Sequence, residues 1–512
     1  MSHRYTALQQ AKKKSVAAVL DPGQNLIPPD YPLTKKQVAD LELTITGKIV
    51  YPWSPDYEND RQEFDDLYPT YPVVIIYVLS ITDIRECLQI AQDTKIQVAI
   101  RSSGHSLACY SVCPGMVIDL SSMKNINVDR ISKTVSIDSG ACFSDLYPLI
   151  EPYQLHTITG DCPTVCPSGF MMGGGYGMTS RMFGMGCDNV LEVTVMLASG
   201  KIVVANKSQN KDLFWAIRGG TGGNFGVLLN TKFQLHDLGN IYGVQIRWEI
   251  TNDPTTAAEV LFAIQENYLK PGLLPQLGIQ TIMSSNDAAV KTLFFCATWI
   301  GDKPSFEQAL QVLTDIPGFN IQWYFGKYSV VNNEVLDGTP DIPDDVMGFS
   351  RSRYISRALA ENEWYTIVKY FYDNAPNQYT MIDMEGYGGN VSLIPEDSCA
   401  FIHRKVNMDF FTEAFFDSKT NDRPANQKWT EDLFTFMQPY TSDRSYQNYP
   451  FRDQSDFRSA YWGKYYNQLV AIKQKYNPQQ FFHYQQSIGP DPIQDPSQVI
   501  LFNQEPIVYE TY

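Results

Sequence analysis

Two cysteines stand four positions apart in the stretch GDCPTVCPSGFMMGGGYG, just before a run of glycines. The thiols belong to Cys162 and Cys166, and the glycine run occupies residues 173–177. Glycine adopts positive φ freely and lets a ligand lie directly against backbone amides. A cysteine before a proline, taken alone, is most often a small buried hydrophobe. The stretch therefore predicts a ligand held against bare backbone, beside two thiols whose roles stay open at this point.

A second glycine loop, GGTGGNFG, covers residues 219–226. Neither loop has the G-x-G-x-x-G pattern of nicotinamide-binding domains, because Thr221 stands five before Gly226 and Met178 stands five after Gly173. Neither loop continues into the Gly-Lys-Ser/Thr ending of a nucleoside-triphosphate loop. Two tight turns would also explain these glycines, but two such loops in one chain favour a large, partly phosphorylated cofactor.

A third candidate loop, RSSGHS at 101–106, is placed by the elements that precede it. The β-branched run YPVVIIYVLS predicts a buried strand, ITDIRECLQIAQDT has apolar residues at helical spacing, and IQVAI reads as a strand again. This order predicts a β-α-β unit with a parallel strand pair. Because α/β sheets bind ligands at the carboxyl ends of their strands, the loop is a candidate ligand site. By itself, His105 would be an ordinary loop residue.

Composition excludes several classes of partner. The chain has 512 residues, with 40 basic and 56 acidic side chains and a formal charge of -16, which disfavours nucleic acid and anionic membranes. No run of about 20 apolar residues is present, and the start lacks an apolar signal core, so we expect a cytoplasmic protein without a membrane partner. Nine cysteines without C-x-x-C or zinc spacing predict neither a disulfide framework nor a metal site. Aromatic residues make up 13% of the chain and suit flat pockets that bind rings or sugars, although aromatic side chains more often pack in the protein core.

The order of strand-like and helix-like segments along the chain predicts an α+β protein with several domains. Mixed strands and helices continue to about Leu238, and alternating strands such as IYGVQIRWEI then join helical stretches such as TTAAEVLFAIQENYL. We expect an N-terminal extension (1–39), a first domain (40–238), a sheet-and-helix domain (239–440) and a C-terminal segment (441–512).

Motifs from both ends of the chain stand in one order: RSSGHS, CPTVCPSG with GGGYG, GCDNVLEVTVMLASG, DLFWAIRGGTGGNFGV, NYP, AYWGKYYNQL and NPQQFFHYQQSI. Together they resemble the berberine bridge enzyme-like group of FAD-linked oxidases, within the vanillyl-alcohol oxidase type of flavoprotein. The resemblance is specific at both ends of the chain and weak between 240 and 380. It implies FAD and an α+β fold: a two-part PCMH-type FAD-binding domain, completed by the returning C-terminal segment, with an inserted sheet-and-helix substrate domain.

The resemblance also implies how the cofactor is held. His105 and Cys162 match the residues that bond covalently to the isoalloxazine ring in this family, which prevents loss of the flavin and raises its potential. Cys166 stands where the family usually has glycine and is a rival thiol. Phe170 stands where a histidine usually lies near flavin N1, so a donor to the reduced ring is missing. Val165 matches a small gate residue that admits oxygen. Flavin contacts are further implied for Arg101, Ser102, Ser103, Gly104, Ser106, Gly169, Gly173, Gly174, Gly175, Gly177, Asp188, Gly223, Gly226, Val227 and Asn448.

The base that the family uses is commonly the tyrosine of the Asn-Tyr pair, which is Tyr449 here. A free phenol, with a pKa near ~10, is a poor base at neutral pH, so a neighbouring positive charge or hydrogen bonds must help it. Arg452 and Arg404 are candidates for that charge. Glu385 is a second catalytic candidate that could orient the tyrosine, and an exposed strand glutamate is the alternative. His403 is more often a structural residue in such a position.

The expected function is that of an FAD-dependent oxidase. It would move hydride from a C–H of a carbohydrate, alcohol or natural product to flavin N5 and pass electrons to molecular oxygen, giving H2O2. Three alternatives stand beside this function: a flavin dehydrogenase with another acceptor, a flavin-containing binding protein that has lost turnover, and a secreted lectin-like binder, which the cofactor loops disfavour. Composition does not separate carbohydrate from aromatic or cationic substrates.

Overall fold

A computed structural model describes residues 31–64, 67–285, 290–337, 346–417 and 422–490. The N-terminal extension is thus described only from residue 31. Of the C-terminal segment, the part from 491, which includes the stretch IVYETY, lies outside the described residues.

The first part of the chain contains three sheets with flanking helices. Its strands are β1 (Lys48–Val50), β2 (Val74–Tyr77), β3 (Val98–Arg101), β4 (Met116–Asp119), β5 (Ile126–Asp129), β6 (Thr134–Asp138), β7 (Leu155–His156), β8 (Val190–Met196), β9 (Ile202–Asn206), β10 (Val227–Gln234) and β11 (His236–Asp237). Its helices are α1 (Lys35–Thr44), α2 (Tyr57–Asp60), α3 (Ile81–Thr94), α4 (Phe143–Ile150), α5 (Pro167–Met172), α6 (Ser180–Phe183) and α7 (Lys211–Ile217).

The strand order shows how the first candidate loop is positioned. The sheets have the orders β1-β2-β4-β3, β5-β6-β10-β8-β9 and β11-β7. Strands β2 and β3 are parallel, as predicted, but each pairs with β4, which lies between them. The prediction that β2 and β3 pair directly with each other is therefore wrong, because β4, which follows them in sequence, lies between them. The loop after β3 still begins at the carboxyl edge of this sheet.

The middle of the chain builds one antiparallel sheet. Its strands are β12 (Ile241–Glu249), β13 (Leu277–Ser285), β14 (Lys291–Trp299), β15 (Phe319–Gly326), β16 (Val346–Ile355), β17 (Thr380–Gly386) and β18 (Met408–Asp417), in the order β15-β12-β14-β13-β17-β18-β16. Its helices are α8 (Thr255–Tyr268), α9 (Lys303–Thr314), α10 (Tyr328–Val335), α11 (Glu361–Asn374) and α12 (Arg423–Met437).

The two faces of this sheet differ in polarity because strand side chains alternate. Ile382, Met384 and Phe410 lie on the face that packs into an apolar core with α8 and α11. Asp383 and Glu385 point to the opposite face of β17, where Glu385 is paired in register with Asp409 of β18. Helices thus cover one face, and the other presents polar side chains towards the first part of the chain.

The C-terminal segment packs on the first part of the chain. Helices α13 (Phe457–Trp462) and α14 (Tyr466–Tyr476) share a core with β8 and α7, in which Tyr461 and Leu469 join Val193 and Leu213. The mixture of antiparallel sheets, one parallel-containing sheet and packed helices confirms the α+β fold class.

Candidate active site

A cavity of about 520 Å³ lies between the first part of the chain and the polar face of the seven-stranded sheet. This volume falls in the range of roughly 300–1,000 Å³ that is usual for small-molecule sites. Its described lining comes mainly from the loop after β3, residues 160–170, residues 221–226, strands β17 and β18, and residues 446–452 and 482–486.

One hydroxyl joins the two residues that were predicted to bond the cofactor. Thr164 Oγ1 lies 3.0 Å from His105 Nε2 and 3.1 Å from Cys162 Sγ. His105 follows Gly104, whose φ of +73° turns the loop into the cavity, and its ring stacks on Phe64 at a centroid distance of 5.2 Å. The imidazole and the thiol, 57 positions apart in sequence, therefore stand on the same wall of the cavity.

Burial keeps both groups uncharged. It lowers the pKa of His105 to about 4 and raises the pKa of Cys162 to about 11, because a charged form would lose its hydration. At neutral pH the imidazole is unprotonated and can act as a nucleophile. The thiol needs a base to release its proton, and the imidazole lies one hydroxyl away from it.

The rival thiol has another neighbour. Cys166 Sγ lies 3.2 Å from Cys142 Sγ, and the Cys166 amide donates a hydrogen bond to the Ser103 hydroxyl at 3.3 Å. Cys166 also lines the cavity. The Cys142 contact distinguishes the two thiols, because the described contacts of Cys162 lead to Thr164 instead.

Three glycines on the cavity wall leave backbone open to a ligand. A Cβ at Gly169 would meet no atom within 4 Å, and at Gly104 and Gly223 the nearest atoms would lie at 3.7 and 3.5 Å. Gly223 has a φ of +66°, a conformation that favours glycine. Together with the neutral imidazole and thiol, this bare wall fits the flavin cofactor that the sequence predicts.

The run at 173–177 has a different use from the predicted one. A Cβ at Gly173, Gly174, Gly175 or Gly177 would lie between 1.9 and 2.6 Å from Asn448, Phe401, Phe170 or the Thr159 carbonyl, respectively. None of these four glycines lines the cavity. The amides of Gly175 and Tyr176 each donate to the Tyr446 hydroxyl at 2.9 Å. We therefore correct the expectation that these glycines cradle the cofactor: close packing requires them.

Arg101 and Val227, which were also predicted to contact the cofactor, lie off the cavity wall. Arg101 forms a buried ion pair with Asp119 at 2.5 Å and supports the loop from behind. Val227 is fully buried in an apolar core, so it supports β10 rather than touching a ligand. Gly226 does line the cavity, but a Cβ there would lie 2.5 Å from the Met196 carbonyl.

Asp188 is bound to a guanidinium. Its two carboxylate oxygens accept from Arg404 at 2.6 and 2.7 Å, and Arg404 Nη2 lies 3.1 Å from Cys399 Sγ. Ligand atoms of Cys187, Asp188 and Cys399 lie within 4.8 Å of one another, as in a metal site. The guanidinium supplies the positive charge there, which explains the cluster without an ion.

The remaining serines of the predicted loop are held by local contacts. Ser102 Oγ lies 3.3 Å from Ser168 Oγ, and Ser106 Oγ accepts from the Tyr110 amide at 3.0 Å. Ser102, Ser103 and Ser106 all line the cavity. The loop is thus fixed by its own hydroxyls, and its backbone remains beside the cavity.

The predicted catalytic pair stands on the opposite wall. The Tyr449 hydroxyl donates to Glu385 Oε1 at 2.5 Å, and the Tyr449 ring stacks on Phe411 at a centroid distance of 4.0 Å. Burial, followed by the charge of Glu385, raises the pKa of Tyr449 well above its usual value. Burial, followed by the charge of Asp409, raises the pKa of Glu385. This phenol is therefore a donor to the carboxyl at neutral pH, not a stable phenolate.

The arginines expected to help the tyrosine are engaged elsewhere. Arg452 donates to the Ala108 carbonyl at 2.8 Å and lies over the Tyr68 ring, and Arg404 pairs with Asp188. Neither candidate arginine therefore places its positive charge on the phenol, and the hydrogen bond that the phenol makes is to Glu385. His403 is buried and bonds Gln447 Oε1 at 3.0 Å, which is a structural position.

Neighbouring residues complete the wall around the tyrosine. Asn448 donates to the Phe170 carbonyl at 2.9 Å and to the Tyr446 hydroxyl at 3.0 Å, which fixes the segment that carries Tyr449. The Val165 side chain is half-buried and lines the cavity, as does Phe170.

Sequence reasoning missed several polar residues at the site. Thr164 joins the predicted attachment residues, and Asp161, Asp383 and Glu413 line the cavity beside Glu385. The signal for the strand residues was the alternation of carboxyls in IDMEG and MDFFTE, which period 2 places on one face. That alternation resembles an ordinary half-exposed strand, so it attracted no interpretation.

Two protein families match parts of the chain. Residues 72–206 match the FAD binding domain, and residues 445–489 match the family described as berberine and berberine like. These matches contain the loop of His105, the segment of Cys162 and the Asn448-Tyr449 pair.

Whole-chain relatives agree with these matches. An uncharacterised FAD-linked oxidoreductase of Bacillus subtilis is 28% identical over 465 residues, which cover 87% of this chain and 98% of the relative. Among solved structures, a variant of BBE-like 1 from Physcomitrella patens has a TM-score of 0.80 at 23% identity and covers 89% of this chain and 100% of its own.

A second solved structure has the same fold. The grass pollen allergen Phl p 4, described as having glucose dehydrogenase activity, has a TM-score of 0.77 at 22% identity, covering 89% of this chain and 99% of its own. Its isoleucine-to-valine variant is described as a glucose oxidase. At this identity both structures show the fold alone.

Among the described residues, no helix combines the length and the apolar composition that crossing a bilayer requires.

Proposed function

Since this chain belongs to the berberine bridge enzyme-like FAD-linked oxidoreductases, we propose that it is an oxidase for a carbohydrate, alcohol or natural-product C–H. The substrate would lose a hydride and a proton, and molecular oxygen would take up two electrons and two protons to give H2O2. The observation that carries the proposal is the Tyr449–Glu385 hydrogen bond of 2.5 Å on the cavity wall opposite His105 and Cys162.

FAD, when bound, supplies the hydride acceptor and the reaction with oxygen. His105 and Cys162 would hold it covalently, because both line the cavity and share the Thr164 hydroxyl. The open backbone at Gly169 and Gly223 would lie against it. Cys166 is the less suitable attachment residue, because its sulfur lies against that of Cys142.

The proton that the substrate loses would pass to Tyr449, and the phenol proton would pass on to Glu385. Tyr449 would accept the substrate's proton on its hydroxyl oxygen while its own proton moves to Glu385 Oε1 along the existing hydrogen bond. No free phenolate is formed on this route, which agrees with the raised pKa of Tyr449. Glu385 must be ionised beforehand, so its charge state sets the pH dependence of the reaction.

The choice of oxygen as acceptor rests on Val165. This residue lines the cavity and stands at the position that resembles the family's gate, and an isoleucine-to-valine variant of the pollen allergen is a glucose oxidase. A valine leaves more room for a small diatomic molecule than an isoleucine does. A dehydrogenase with another acceptor is the second candidate function.

Purified protein provides the test. The expected results are a flavin absorption spectrum, colour that stays with acid-precipitated protein, and flavin adducts on the peptides of His105 and Cys162. A panel of sugars, alcohols and amines should then give substrate-dependent peroxide. Flavin reduction without peroxide would indicate the dehydrogenase. A fully bound flavin that no panel member reduces would favour the binding protein, and removable flavin would refute the covalent bonds.

The cytoplasmic location stays a prediction. Fractionation of source cells, with activity or antibody detection in the soluble cytoplasmic fraction, tests it directly.

A further inference from the structure

Two pairs of cysteines bring their sulfurs close together in the folded chain. Cys142 Sγ lies 3.2 Å from Cys166 Sγ, and Cys187 Sγ lies 3.8 Å from Cys399 Sγ. A disulfide bond is about 2.05 Å long, so the sulfurs of the first pair would have to approach by only about 1 Å. The first pair is therefore positioned for reversible bond formation.

The two pairs differ in their access to solvent. Cys187 and Cys399 are both completely buried. Cys142 is partly exposed at the surface, and the buried Cys166 lines the cavity. A small oxidant that arrives from the solvent can therefore reach Cys142, whereas the second pair is shielded.

Backbone contacts hold the first pair in place. Cys142 stands directly before α4, and Cys166 stands directly before α5. The Phe143 amide donates to the Val165 carbonyl at 3.0 Å, which joins the start of α4 to the segment that leads into α5. The Cys166 amide in turn donates to the Ser103 hydroxyl at 3.3 Å. Only small side-chain movements therefore separate the two sulfurs from a bond.

The two thiols of this pair are not equivalent. The hydrogen bond from Cys166, aided by the charge of Lys124, outweighs burial and lowers the pKa of Cys142. Asp145, which is paired with Lys124 at 3.1 Å, acts in the opposite direction. The contact with Cys142, followed by burial, raises the pKa of Cys166 well above its usual value. Since the thiolate is the nucleophilic form, Cys142 is the more reactive thiol and Cys166 keeps its proton.

We propose that Cys142 and Cys166 form a peroxide-reactive dithiol, in which hydrogen peroxide oxidises Cys142 and Cys166 then closes a reversible disulfide. Hydrogen peroxide is the product of the oxidase function proposed above, so the enzyme would meet this oxidant at its own cavity. The dithiol itself does not rest on that function, because peroxide from another source reacts in the same way.

The reaction balances in two steps. The Cys142 thiolate attacks one oxygen of the peroxide and breaks the O–O bond, which gives a sulfenic acid and a hydroxide ion that takes up the proton released by Cys142. The Cys166 sulfur then attacks the sulfenic sulfur, and the hydroxyl group leaves with the Cys166 proton as water. In sum, two thiols and one hydrogen peroxide give one disulfide and two water molecules.

The disulfide gives the rival thiol beside the cofactor a use of its own. A sulfur that is bonded to Cys142 cannot bond to a flavin, so Cys162 remains as the attachment residue. Thiols reduce a disulfide, whereas a sulfenic acid without a partner oxidises further to sulfinic acid, which is irreversible in most proteins. The pair would therefore take up peroxide near the cofactor without permanent damage.

Peptide mass mapping of the full-length, flavin-containing protein tests the proposal. The protein is reduced with dithiothreitol, freed of it and exposed to graded hydrogen peroxide while folded, and the remaining thiols are alkylated after denaturation. We expect a linked pair of peptides that contain Cys142 and Cys166, lighter by two hydrogen atoms than the two thiol peptides and lost on renewed reduction. The peptides of Cys187 and Cys399 in the same digest are the internal control and should be alkylated as thiols.

Variants separate the roles of the two sulfurs. In Cys166→Ser, the sulfenic acid at Cys142 has no thiol to resolve it, so dimedone should label Cys142, and this label should be lost in the parent. In Cys142→Ser, neither the linked peptides nor a label on Cys166 should appear. Cys87→Ala, at a buried position of α3 away from the cavity, is the matched control and should keep the disulfide. The mapping of the parent chain does not depend on the folding of any variant.

The proposal would be overturned if peroxide left Cys142 and Cys166 as thiols, or if it linked the buried pair Cys187 and Cys399 equally well. A disulfide that forms without oxygen or peroxide while the flavin is bleached would overturn peroxide as the oxidant, because the flavin would have taken the electrons. Two unreactive thiols in a protein that releases peroxide from a substrate would leave the oxidase function standing. A disulfide in a protein that turns over no member of the panel would support the dithiol alone.

Discussion

The two walls of the cavity are built in different ways. The cofactor wall is made of loops and the short helix α5, and it combines open space beside Gly169 and Gly223 with the neutral groups of His105 and Cys162. The substrate wall is made mainly of side chains from β17 and β18, which carry carboxyl groups, together with the Tyr449 phenol from the segment 446–452. A loop wall depends on local sequence, whereas a strand wall depends on which strands lie side by side.

Because the two walls are built differently, they should tolerate different amino-acid substitutions. On the substrate wall, a side-chain change alters chemistry and leaves the backbone in place, because the sheet is held by its ladder and its apolar face. Behind the cofactor wall, an added Cβ at Gly174 would lie 2.5 Å from the Phe401 ring, so a single carbon can displace the backbone there. Substitutions on the two walls should therefore fail in distinguishable ways.

The largest effect is expected on the substrate wall at Tyr449. Tyr449→Phe removes the proton acceptor but keeps the ring that stacks on Phe411, so flavin content and stability should stay near the parent's. Flavin reduction by any substrate found in the panel should slow by about a hundredfold or more. Anaerobic stopped-flow absorbance measures this step. Tyr440→Phe, at a half-buried tyrosine away from the cavity, is the control; parental reduction in Tyr449→Phe would move the base to Glu385.

A smaller effect is expected where the cofactor wall admits oxygen. Val165→Ile adds one carbon to a half-buried side chain at the cavity and should slow flavin reoxidation by roughly tenfold, with reduction unchanged. Mixing substrate-reduced enzyme with oxygenated buffer gives the rate. If reoxidation keeps its parental rate, oxygen reaches the flavin by another route.

Two glycines of the cofactor wall region test the packing explanation. Gly174→Ala places a Cβ 2.5 Å from the Phe401 ring at a φ of +121°, so the free energy of unfolding should fall by about 1–3 kcal/mol. Gly169→Ala meets no atom within 4 Å and should preserve stability, although its methyl group enters the cavity. Denaturant unfolding of the two variants measures the difference. Equal stability of both would remove the case for packing at Gly174.

The smallest effect is the pH dependence of stability from Asp409, which is paired in strand register with Glu385 of the substrate wall. Burial raises the pKa of Asp409 from 3.8 to about 8, so between these values the folded chain holds a proton there that the unfolded chain has lost. The stability that this group contributes is present below about pH 4 and declines as the pH rises to about 8. Asp409→Asn does not titrate, so the Tm of the variant should gain a few degrees on the parent's between pH 5 and 8. A constant Tm difference across that range would contradict the raised pKa.

The sequence predicted the cofactor wall better than the substrate wall, for physical reasons. His105 and Cys162 lie in local motifs, and such motifs can be recognised in the sequence without knowledge of the fold. The glycines at 173–177 were misread because a glycine needed for a close contact with Phe401 or Phe170 looks the same in sequence as one needed for a ligand. Asp383 and Glu413 could not be found because their convergence depends on the pairing of β17 with β18.

The same limit applies to the fold. The strands β2 and β3 were predicted from their apolar runs, but the insertion of β4 between them follows from a long-range pairing that no local pattern records. The alternation of polar and apolar residues in β17 was visible, whereas the direction of its polar face required the position of the first part of the chain.

The bond from Tyr446 to the amides of Gly175 and Tyr176 spans 271 and 270 positions of the chain. During synthesis, the glycine run leaves the ribosome long before its partner has been translated. The intervening sheet, whose pairings lie wholly between residues 241 and 417, has no such delay. Closing so long a loop adds entropy cost and slows folding. We therefore expect the cofactor wall to be completed late in folding, and we expect a chain truncated before Tyr446 to fold its inserted sheet but leave the cavity incomplete.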